Sequence, residues 1–184
     1  MTGRTATAAV LLIFAGQAGE PSFLIERGRA GQFEVGITAD EVYRAAGRER
    51  VTLVATFPEG MFQPELHVRL PPFTTTPALT APVREAPCFE FAVWGILVHD
   101  PRFRTKTGLG VGSTLGDVKR TYPAAKVTAI GTDPGPSVVI EEIGLAFKMD
   151  PAERSFTDRS RVKSVWVIPD PERVRARRCP GRGQ

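Results

Sequence analysis

One octapeptide occurs twice, as VGITADEV at 35–42 and VGSTLGDV at 111–118, and its chemistry dictates a helix start at each place. Thr38 is followed three residues later by Glu41, and Thr114 by Asp117. At that spacing the threonine hydroxyl accepts a hydrogen bond from the amide of the acidic residue, while the acid reaches back to the N–H of the capping residue. Two of the donors that a helix start leaves open are thereby satisfied. Gly36 and Gly112, two residues before the caps, free the backbone to turn into them. Ile37 is placed to staple onto Val42; the second copy has Ser113 there, so its start is expected to be looser. The first helix should run to about Ala46 and stop at Gly47, and the second should stop before Pro123.

The segments C-terminal to the two helices also match. VTLVATF at 51–57 and KVTAI at 126–130 are β-branched runs ended by Pro/Gly punctuation. ELHVRL at 65–70 alternates polar with apolar, and SVVIEEIGLAFKMD at 137–150 reads as a strand bent at Gly144. Each half closes on a tryptophan-bearing run ending in Asp-Pro, FAVWGILVHDP at 91–101 and RVKSVWVIPDP at 161–171. The expected class is therefore α+β, with two tandem units of a short helix followed by an antiparallel sheet, at 19–104 and 105–171.

The flanks read differently. Arg4, the apolar run ATAAVLLIFA at 6–15 and the small residues ending at Ala18 have the form of a secretory signal peptide over 1–18. That run is shorter than the about 20 apolar residues that cross a bilayer, and no other segment is apolar enough, so no transmembrane segment is expected. A soluble periplasmic or secreted protein is the expectation on this reading. Export makes Cys88 and Cys179 a candidate disulfide; the alternative is a buried Cys88 and a free thiol in the tail. Residues 172–184 hold five arginines against one acid, so the whole formal charge of +4 lies in a short basic tail. The body is neutral, which argues against a nucleic-acid partner.

Catalytic signals are thin. GLGVGST at 108–114 has the setting of a phosphate loop, but Gly112 stands where a P-loop needs lysine and Ser113 where a dinucleotide fingerprint needs glycine. The two histidines, His67 and His99, have no partner motif, so no metal, cofactor or enzymatic activity is expected. Counting back from the two Asp-Pro ends puts Trp94, Ile96 and Val98 on the same strand face as Trp166 and Ile168. That face is either core or an aromatic surface for a protein partner. In the second case His99, Arg102 and Phe103 are its rim and anchor candidates.

The phrase VGxTxx(D/E)V opening a short helix before a small antiparallel sheet resembles the repeat unit of the outer-membrane assembly lipoproteins of the SmpA/OmlA (BamE) type. Its doubling is similar to the beta-lactamase inhibitory proteins, and DPRFRTKTGLGVGSTLGDVKRTYP at 100–123 looks like a segment of uncharacterised exported bacterial proteins. The chain departs from both named families: it lacks the lipobox cysteine of the first and the disulfide within each half of the second. The resemblance implies an exported module that presents a sheet face to a protein partner in the cell envelope. The alternative is a small-molecule or envelope-polymer binder with its site in a cleft between the two halves.

Overall fold

Both repeated phrases open a helix. In α1 (Ala39–Ala46) the Glu41 amide donates to Thr38 Oγ1 at 3.2 Å, and the Thr38 amide donates to Glu41 Oε2 at 2.7 Å. In α2 (Leu115–Thr121) the matching distances, Asp117 N to Thr114 Oγ1 and Thr114 N to Asp117 Oδ2, are 3.1 and 2.8 Å. Gly36 and Gly112 have φ of 95° and 87°, a region that side chains disfavour, which is why the phrase keeps glycine there. Thr38→Ala and Thr114→Ala are each expected to cost about 1 kcal/mol of stability, measured by denaturant melts, with serine at either position restoring most of it.

The computed structural model describes residues 22–86, 90–125, 127–129, 136–150 and 156–168. The expected signal peptide, Cys88, Cys179 and the basic tail lie outside them. Before α1 come β1 (Leu24–Glu26), β2 (Arg29–Ala30) and β3 (Phe33–Glu34). After it come β4 (Val51–Thr56), β5 (Gln63–Val68), β6 (Leu79–Ala86), β7 (Glu90–Val93), β8 (Ile96–Val98) and β9 (Arg104–Thr105). After α2 come β10 (Val127–Ala129), β11 (Pro136–Ile140), β12 (Leu145–Met149) and β13 (Val162–Val167). The fold is α+β. Among the described residues a nine-stranded sheet has the order β10-β11-β12-β13-β8-β6-β5-β4, with β7 also beside β6, and its pairings are antiparallel. A four-stranded sheet, β3-β2-β1-β9, joins β1 to β9 in parallel. Among the described residues no helix is long and apolar enough to cross a membrane.

The core is one cluster that joins both helices to one face of the large sheet. Directly paired residues in neighbouring strands share a face. Val51, Val68, Leu79, Val98, Val165, Phe147 and Val138 form such a row across seven strands, and every one is buried. Val42 and Ala46 of α1 and Leu115 and Val118 of α2 close over that cluster.

The strand expectations need three corrections. The run at 137–150 is two strands, β11 and β12, reversing through a 3-10 turn at Glu141–Ile143 and left-handed Gly144. Strand β6 is hidden in the sequence by Pro82, a residue that discourages a central-strand assignment. The tryptophan run of the first half is broken. Val83 pairs with Val93 and Thr80 with Leu97, so three residues, Trp94 to Ile96, stand against two, Ala81 and Pro82. The extra residue is a β-bulge, and the Trp94 amide donates to the carbonyl of Pro82 within it at 2.8 Å.

Candidate functional site

The counted tryptophan face does not form: the bulge takes Trp94 out of alternation with Ile96 and Val98, and the register of β13 on β8 sets Trp166 apart from both. Val167 pairs with Ile96 and Val165 with Val98, on the buried side; Trp166 pairs with Leu97 on the other. Trp166 is half-buried, and its ring lies where a Cβ on Gly95 would come within 2.7 Å, so only glycine fits beneath it. Trp94 is also half-buried, with the Arg84 guanidinium 4.3 Å from its ring centre. Neither ring is fully buried, and neither is among the exposed large apolar residues.

Phe103 is no rim anchor. It is 1% exposed and meets Phe23 edge-on, ring centres 5.0 Å apart, because the β1–β9 pairing brings the two chain segments together. Arg102 is exposed and knits the same corner: its guanidinium contacts Asp100 at 3.0 Å, donates to the Pro71 carbonyl and stacks 4.5 Å from the Phe23 ring. Burial would raise the Asp100 pKa, but hydrogen bonds from the Arg102 side chain and amide, with its charge, hold it below the usual range.

His99 and Arg102 do share a cleft of about 270 Å³ with Leu70, Pro72, Ala78 and Asp100. Its chemistry is quiet. His99 Nε2 lies 3.2 Å from Thr80 Oγ1, and burial, with smaller pushes from His67 and Lys148, lowers its pKa to about 4. The imidazole is therefore neutral at pH 7. Asp100 and Arg102 neutralise each other, and the Thr74 hydroxyl donates to the Thr76 carbonyl. The cleft wall is built from groups that satisfy one another. Among the described residues there is no cluster of three or more His, Cys, Asp or Glu able to hold a metal ion.

The glycine-rich segment before α2 is likewise engaged. The Gly112, Leu115 and Gly116 amides donate to the carbonyls of Val162, Ser160 and Asp158, and the Gly110 amide to Ser113 Oγ. The amides that a phosphate would need already have acceptors in the chain.

The surface that stands out lies elsewhere. Six large apolar side chains are exposed among the described residues, and five of them, Leu53, Phe57, Met61, Phe62 and Phe91, come from β4, β7 and the β4–β5 turn. The buried row one step on from Val51 includes Leu66, at 0% exposure, yet its direct partner Leu53 is 59% exposed. The core cover stops between Val51 and Leu53, so the hairpin runs on past it. Extending the β4–β5 and β5–β6 registers towards the hairpin tip aligns Phe57, Phe62, Glu85 and Phe91 in one row on that same face. The Phe57 and Phe62 rings touch, with centres 5.8 Å apart. At the side of this row β4 is the last strand of the sheet among the described residues. The surface is invisible in the sequence because a half-covered strand and a fully covered one have the same apolar periodicity.

No family model matches the chain, and no curated protein matches it significantly. Among solved structures it is similar to the uncharacterized protein yfeY from Escherichia coli, at 12% identity and a TM-score of 0.55, over 78% of this chain and 97% of that one. At that identity the likeness concerns the fold alone.

Proposed function

We propose that the chain is an exported, non-enzymatic interaction module that presents one sheet face to a protein partner in the cell envelope. The observation that carries the reading is the exposed apolar side chains Leu53, Phe57 and Phe62, with Phe91 beyond Glu85, near the outer strand of the sheet. Clustered exposed apolar side chains of this kind mark binding faces, and aromatic residues supply most interface energy. The apolar run at 6–15 and the small residues ending at Ala18 support export. A reading as two tandem units, 19–104 and 105–171, is supported by the two matching capping boxes. It is also supported by β8 and β13, one from each half, lying side by side and antiparallel in the middle of the sheet.

A photo-crosslinking amino acid placed at Phe62 in the producing cell tests the docking face, with the exposed Asp158 as control position. Discrete adducts from Phe62 and none from Asp158 are expected. Equal or absent labelling from both sites would remove the face as a docking surface, and an uncleaved N terminus in the purified protein would remove the export reading.

A further inference from the structure

We infer that the docking face takes a second copy of this chain, joined edge to edge by antiparallel pairing of β4 with its counterpart. This rests on the docking face proposed for the module and names its partner. The first ground is that the edge is unguarded between Leu53 and Ala55, while the Val51 N–H already donates to the Arg48 carbonyl and the Phe57 carbonyl accepts from the Gly60 amide. Exposed edge strands are ordinarily blunted by charge, proline or a bulge. Strand β4 reads VTLVAT, carries none of the first two, and pairs with β5 in unbroken register over all six residues.

The second ground is self-complementarity. A two-fold axis through Val54 places Thr52 opposite Thr56 of the other copy, Leu53 opposite Ala55, and Val51 opposite Phe57. Each pair keeps apolar with apolar on the core face and hydroxyl with hydroxyl on the other, pairings that favour a sheet. No charge lies between 51 and 57, so the strand meets nothing repulsive in its own copy. Antiparallel pairing also sets the uncovered end of each strand beside the covered end of the other. Phe57, 65% exposed, comes to lie by Val51, which is 8% exposed beneath the core cover. Each copy thereby supplies the wall that the other lacks, the reciprocal geometry of a two-fold interface.

The third ground is area. Leu53, Phe57, Met61 and Phe62 are 59, 65, 66 and 63% exposed. With about 150–250 Å² per aromatic side chain, Phe57 and Phe62 alone offer roughly 250 Å² of apolar surface per copy, to which Leu53, Met61 and the strand edge add. Stable interfaces use about 800 Å² per partner, and reversible ones less. The dimer is therefore expected to be reversible and concentration-dependent.

Sedimentation of the full chain as the cell processes it, over a concentration series, with hydrogen exchange of the β4 amides, tests this. The expected result is a species of twice the monomer mass at high concentration, with β4 amides that gain protection as it forms. Leu53→Lys should weaken association at least tenfold without lowering the melting temperature, because Leu53 already faces water. Val54→Lys, at the two-fold axis, is a second variant that should do the same. A chain monomeric throughout the series, or a dimer indifferent to both variants with unprotected β4 amides, overturns the inference. If the chain is monomeric and Phe62 still crosslinks another protein, self-pairing fails and the docking face stands; with no adduct at all, both fail.

Discussion

Phe103→Ala is expected to lower the unfolding free energy by about 3–5 kcal/mol, the usual cost of emptying an aromatic site in a core that relaxes only in part. The side chain is 1% exposed and sits edge-on against Phe23, where β1 and β9 join. Its loss removes apolar burial at the seam that holds the small sheet together. Leucine in its place should recover part of the loss by filling some of the volume. Urea unfolding of the two variants against the parent measures both effects. A Phe103→Ala protein that unfolds within about 1 kcal/mol of the parent would show that the seam contributes little to global stability.

Acidification should destabilise the fold through His99. Its pKa is lowered from 6.5 to about 4, chiefly by burial and then by the charges of His67 and Lys148. The folded state therefore resists the proton that the unfolded chain accepts. This stability is fully present above about pH 6.5 and is lost as the pH falls towards 4, by up to about 3 kcal/mol. Unfolding curves at pH 7 and pH 4.5 should reveal most of the loss. Asp100 and Asp117, whose pKa values are lowered by partners, lose their contributions at lower pH, so the two effects separate. His99→Gln keeps a group able to hydrogen-bond with Thr80 and should flatten the profile between those two pH values. An equally steep profile in that variant would assign the effect to another group.

The sequence by itself determined the local punctuation. Thr38 with Glu41, and Thr114 with Asp117, specify two helix starts through contacts within four residues, and both capping boxes form. The runs at 51–57, 65–70 and 161–167 are legible as strands because period-two alternation and β-branched residues are also local signals. Only the tertiary structure decided which faces meet water. The single extra residue at Trp94 parts that ring from Ile96 and Val98, and the cross-strand register of β13 with β8 puts Trp166 on the face opposite them. Burial of Phe103 requires β1 to arrive from the far end of the chain. Leu53 and Leu66 are directly paired leucines of the same kind, yet one is exposed and the other buried. What separates them is where the helix-covered core ends, a property of how layers stack, which no periodicity within a strand records.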